Sequence, residues 1–169
     1  MAFIIESDVV ISFAEYQDVL ERDQRLFDSN EGLTDEVVED ALIKATSRIL
    51  NKMSTTAWWR NYYMERDTSI NYTTVADIPS IDAGRILGRQ SDFTELCVYT
   101  ALADYILPQV ANFGDETDSE RAKMGYYQNR AESLFGELIT AGDWYDFDDD
   151  STIGSTEKEP GYFNLRRVR

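Results

Sequence analysis

The sequence predicts a mainly α protein: an antiparallel bundle of about four main helices with a long loop and extended N- and C-terminal arms. Three observations carry that expectation. Apolar residues recur at three- and four-residue steps in four separate stretches. Helix-start and helix-stop residues punctuate those stretches. No internal repeat, heptad array or low-complexity tract is visible, and 169 residues with 43% apolar content fit one domain with one real core.

In chain order, residues 1–11 mix apolar residues with Glu6 and Asp8 and read as an extended arm or short edge strand. Ser12 followed by Glu15 has the spacing of a capping box, which opens a helix over 13–27 with Phe13, Tyr16, Val19 or Leu20, and Phe27 near one face. Asn30 to Gly32 ends it. Thr34 is placed to cap the next helix, with Asp35 and Glu36 in its positive first turn. Val38, Ala41, Leu42, Ala45, Ile49 and Leu50 give that helix an apolar stripe as far as about Met53.

The run from Trp58 to Tyr63 is the densest aromatic cluster. Trp58, Trp59, Tyr62 and Tyr63 fit one side of a short helix, so packing in the core or between subunits explains them better than base stacking beside Arg60. Residues 67–91, with Pro79, Gly84 and Gly88, read as a long loop. Loops of that length inside compact domains tend to be functional, and this one is placed to reach a neighbouring subunit or line a channel through Arg85 and Arg89. It lacks the spacing and the Lys-Ser/Thr of a phosphate-binding loop.

From Asp92 apolar residues return around most of the circumference, as in an enclosed helix, and Pro108 marks a kink or an approaching end. The last helix is expected from near Thr117 or Ser119 to about Thr140, with Met124, Tyr127, Ala131, Leu134, Phe135 and Leu138 as its stripe. Ala141-Gly142 is its stop.

Composition excludes several function classes. With no histidine there is no Ser-His-Asp triad, no Cys-His pair and no imidazole base or metal ligand. Cys97 stands alone, so neither an internal disulfide nor a cysteine zinc cluster is expected. Carboxylates are so abundant that a glycosidase-like pair carries little weight. Thirty-two acids against sixteen basic residues, a net charge of −16, argue against a body that grips nucleic acid. No run approaches a membrane span, and Met1 to Glu6 meets acid too early for a signal peptide; a soluble, cytoplasmic chain is expected.

Residues 143–169 divide from the helical domain of 1–142 as an acidic loop and an extended arm. Asp146, Asp148, Asp150 and Glu157 match the acidic positions of the EF-hand calcium loop, and Ile153 falls where such loops carry an apolar residue. Ser151 replaces the glycine of the sharp turn, and Pro160-Gly161 blocks an exit helix. The competing reading is a solvated acidic linker with no cofactor. Beyond it, Tyr162, Phe163, Leu165, Arg166, Arg167, Val168 and Arg169 combine three arginines with apolar residues on a chain of opposite charge, as in an arm made for a partner.

The acidic first helix, the segment from Val38 to Leu50, the Trp58-Trp59 cluster, the helix from Phe93 to Tyr105 and the long last helix with its tail together resemble the head-completion adaptors, or head–tail connectors, of tailed bacteriophages. The likeness covers most of the chain and is one of pattern, since that family carries no catalytic signature. It implies a structural protein of the virion neck, assembled in the host cytoplasm. Such a protein forms a ring, a dodecamer, beneath the portal protein, extends the DNA channel and docks neck or tail-completion proteins. It implies portal docking by the arm residues 162–169. Trp58, Trp59, Tyr62, Tyr63, Arg85 and Arg89 are then candidates for the subunit interface, and DNA passes without specific binding. Two other readings compete: a calcium-responsive binding module built on 146–157, and an acidic DNA mimic that inhibits a nucleic-acid enzyme. No enzymatic activity is expected.

Overall fold

The computed structural model describes residues 3–6, 9–30, 32–66, 72, 74–114 and 118–158. The chain begins as a small antiparallel hairpin: β1 (Ile4–Glu6) pairs with β2 (Val9–Ser12), Ile5 opposite Val10, with an irregularity between Ile4 and Ile5. Of the two readings of residues 1–11, an extended arm or a short edge strand, the described residues form strand, paired as a hairpin and folded onto the body. Phe3 is buried and its ring lies 4.7 Å from that of Phe13.

Phe13 is not in a helix. It is fully buried, and two threonines from different helices satisfy its backbone: its N–H donates to Thr46 Oγ1 at 3.1 Å and its carbonyl accepts from Thr94 Oγ1 at 2.8 Å. Ser12 closes a local turn with Ala14, so the capping box falls three residues later: Glu15 is the N-cap of α1 (Tyr16–Arg22), and its N–H donates to Asp18 Oδ2 at 2.9 Å. The single helix expected over 13–27 is broken at Asp23, after which α2 (Gln24–Ser29) continues. Asp23 is almost fully buried. It sits 2.8 Å from Lys123 Nζ and accepts from Tyr127 Oη at 3.4 Å, so a partner one hundred residues away stabilises the break.

The central rod is α3 (Asp35–Ser54), which buries Val38, Ala41, Leu42, Ala45, Thr46, Ile49 and Met53 along the predicted stripe. Thr34 is its N-cap by position, without a side-chain hydrogen bond. The short α4 (Ala57–Asn61) follows. It is capped by Thr56, whose hydroxyl accepts from the Trp59 N–H, and runs into a wide π turn over Tyr62–Arg66.

Helix α5 (Gln90–Ala101) packs against α3 and the last helix of the chain and is buried at every position from Phe93 to Ala101 except Glu95, as its all-round apolar pattern predicts. It passes through a π turn (Leu102–Ile106) into α6 (Leu107–Val110). Proline lacks the N–H and crowds the carbonyl four residues back, so widening the helix ahead of Pro108 lets the chain keep its course. Finally α7 (Ser119–Ala141), about 35 Å long at 1.5 Å per residue, starts at Asp118, whose carboxylate accepts from the Glu120 N–H at 2.7 Å. It ends at Gly142 in the left-handed region (φ 58°). The fold is a mainly helical bundle, as expected. Among the described residues no helix is long and apolar enough to cross a membrane.

Candidate functional site

Of the segment after Gly142, expected as an appendage, residues 144–147 belong to the core. Trp144 and Tyr145 are among the largest fully buried side chains, and Phe147 is buried beside them. They interleave with the other aromatic run: Trp58 lies 4.6 Å from Trp144, Trp59 meets Tyr145 edge-on at 5.0 Å, and Tyr62 stacks on Phe147 at 3.6 Å. Trp58, Trp59 and Tyr63 are thus packed inside one chain and Tyr62 is half-buried against it. The missed signal was the pairing of two aromatic runs, each too short to form a core alone, eighty residues apart in sequence.

The described part of the long loop, 74–89, is fastened to the same segment. Trp59 Nε1 donates to the Pro79 carbonyl at 2.8 Å, and the Asp82 N–H donates to the Tyr145 hydroxyl at 3.2 Å. The N–H groups of Leu87 and Gly88 both donate to the Trp144 carbonyl at 3.1 Å, while the Asp146 N–H donates to the Arg85 carbonyl at 3.0 Å. The two arginines flank this clasp. Arg85 Nη2 donates to the Phe147 carbonyl at 3.1 Å and its Nε lies 3.5 Å from Asp149. Arg89 grips Asp143 with two nitrogens, at 2.5 and 3.0 Å, and holds that carboxyl below the usual carboxylate range. Their contacts among the described residues are within the chain.

Beyond the clasp the acidic loop closes on itself. Asp146 and Glu157, 2% and 4% exposed, are buried acids and not parts of a solvated linker. Asp146 accepts from the N–H of Asp149 at 2.8 Å and of Ser151 at 2.9 Å. Glu157 accepts from Phe147 N–H at 2.5 Å and Asp148 N–H at 3.2 Å on one oxygen, and from Gly154 N–H at 2.6 Å on the other. Backbone donors supply the partners that a buried carboxylate needs. The chain turns sharply through Asp149 (φ 63°) and Ser151 (φ 66°). Ser151 therefore adopts the left-handed conformation that the calcium-loop glycine supplies, although it is not glycine.

Three of the four predicted ligands converge: carboxylate oxygens of Asp146, Asp148 and Glu157 lie within 4.8 Å of one another. Asp150 is turned aside and accepts instead from the N–H and hydroxyl of Thr152 at 2.8 and 2.7 Å, which lowers its pKa. Loss of hydration and the nearby Glu157 and Asp150 carboxylates push Asp148 up. Each carboxylate offers about four lone-pair sites, so Asp146 keeps acceptor capacity on both oxygens and Glu157 on one. That oxygen-only donor set suits a hard cation such as calcium.

The arm residues Tyr162, Phe163, Leu165, Arg166, Arg167, Val168 and Arg169 lie outside the described residues. No protein-family model, curated protein or solved structure matches the chain.

Proposed function

We propose that the chain is a structural head–tail connector of a tailed bacteriophage: a subunit of a dodecameric ring beneath the portal protein that extends the DNA channel and docks neck or tail-completion proteins. The observation that carries this reading is the contrast between an acidic helical body and the segment 161–169, where three arginines alternate with Tyr162, Phe163, Leu165 and Val168. Such a segment binds through aromatic anchors and charge pairing with a surface of opposite sign. The body supports it by holding a core of its own among the described residues. A charge of −16 repeated around a ring repels passing DNA from the wall. No catalysis is involved.

The test is size exclusion with light scattering, followed by electron microscopy, of the protein alone and with the portal of the same virion. A ring, alone or on the portal, is expected; a monomer indifferent to portal overturns the reading. Truncation after Glu159 is expected to keep the helical spectrum and abolish portal attachment, and normal attachment by the truncated chain removes the arm from the argument.

One observation favours a second reading, a calcium-responsive binding module. Ser151 holds the turn of a calcium loop against its own steric preference while Asp146, Asp148 and Glu157 converge. Titration calorimetry with calcium decides it: absence of heat at millimolar calcium, with no rise in Tm beyond that of an equal ionic strength of sodium chloride, eliminates the module.

A further inference from the structure

A groove of about 430 Å³ runs between α1 and α5, walled by Asp18, Glu21 and Arg22 on one side and Ser91, Thr94 and Glu95 on the other. Its charge is unbalanced. Arg22 is already committed, 2.6 Å from Glu95 and over the Tyr99 ring. Asp18 accepts from the Glu15 N–H and Glu21 from Gln17, and among the described residues neither is paired with a cation. The groove is thus an acidic slot in want of a cationic occupant.

The end of the described chain points to one. Asp143 is gripped by Arg89, two residues before Ser91 in the groove wall. One residue before the described chain ends, Glu157 is held by the N–H groups of Phe147 and Gly154, and the Ile153 side chain lies against Gly88, where a Cβ would stand 3.1 Å from it. The chain therefore leaves the body beside the N-terminal turn of α5. Residues 159–165 span roughly 23 Å when extended, at about 3.3 Å per residue, before the first arginine is reached. Arg166, Arg167 and Arg169 then form a run of three cations, and guanidinium forks match carboxylates.

We propose that the groove between α1 and α5 is the seat of this chain's own arm, with the arginines of 166–169 set against Asp18 and Glu21. The seat and any external partner compete for one segment, so the arm is withheld until a partner with a stronger acidic or aromatic-binding surface draws it out. This inference does not rest on the connector reading and holds whatever the partner is.

The test uses the full chain with Ser91→Cys and Val168→Cys, which leaves all three arginines in place. Cys97 is silent, because burial pushes its thiol up to about 11. Under mild oxidation a disulfide within the monomer is expected, read by non-reducing peptide mass spectrometry and size exclusion. It should form severalfold more slowly in a Glu21→Lys background, and also in about 1 M salt, where the screening length falls to about 3 Å. Glu21 is exposed, so an unchanged circular dichroism spectrum is expected for that variant. A covalent dimer would assign the groove to the arm of a second copy and overturn the proposal. So would the lack of any disulfide, or one that forms at the same rate in every background and salt, as for random encounters of a tethered chain.

Discussion

Two residues of the acidic loop carry opposite kinds of cost. Ser151 holds φ 66°, a conformation that disfavours any residue with a Cβ by about 1–2 kcal/mol. Part of that is regained by glycine's greater freedom when unfolded, so Ser151→Gly is expected to stabilise the protein by about 0.5–1 kcal/mol in urea melts. Destabilisation would mean that the Ser151 side chain supports the loop. Glu157 is the converse: its two oxygens take three backbone donors, from Phe147, Asp148 and Gly154, in a buried position. Glu157→Gln places an amide NH2 against at least one of those N–H groups. A buried donor left unsatisfied costs about 1–3 kcal/mol, and a loss in that range, with faster hydrogen exchange at Phe147 or Gly154, is the expected result. Exchange rates equal to the parent's would show that the carboxylate does not hold the loop.

At the level of elements, the clasp between 85–89 and 143–147 depends on two strands of backbone lying unusually close. A Cβ at Gly88 would stand 2.7 Å from the Asp143 carbonyl oxygen and 2.9 Å from Trp144 Cα, both backbone atoms that cannot swing aside. Gly88→Ala is therefore expected to cost about 1–3 kcal/mol, the usual range for overpacking, and to loosen Trp144 enough to shift the tryptophan fluorescence. A variant of parental stability would contradict this packing. The same elements show what the sequence made legible. The stripe of α3 and the stop of α7 at Gly142 are local signals written within a few residues, and they were readable, whereas the start of α7 was placed near Thr117 or Ser119 and its cap is Asp118, between them. The break at Asp23 was not readable, because its stabilising partner Lys123 lies on another helix. A short strand was one of two readings of residues 1–11, but its pairing into a hairpin was hidden by the acids among its few apolar residues. For the site, the four acidic positions and the missing glycine could be read from spacing. The burial of Asp146 and Glu157 could not, since it rests on backbone donors that only the closed loop presents.

For the whole molecule the decisive quantity is its charge. Thirty-two carboxylates and a net −16 make the compact state repel itself at neutral pH. Individual groups depart from that average in both directions. Asp143 has a lowered pKa in the fold, chiefly from Arg89, so it adds stability that is present above its unfolded pKa of about 3.9. That contribution is lost as pH falls through the folded value. It is small, because the pair is partly exposed and screened. Asp148 has a raised pKa, from lost hydration and then from Glu157 and Asp150, so its ionised form opposes folding at neutral pH. Protonation as pH falls through the raised value removes that opposition. The two signs together predict a Tm that rises from pH 7 into the mildly acid range and falls again below about pH 4, where stabilising carboxylates are lost. General charge repulsion contributes to the rise as well, but about 1 M salt shortens its reach to about 3 Å and leaves the close contacts within the loop. The melting profile should therefore be recorded in high salt for the parent and for Asp148→Asn. A residual acid rise in the parent that disappears in Asp148→Asn would locate it in the loop, whereas a rise of equal size in both would assign it to the surface as a whole and remove Asp148 from the account.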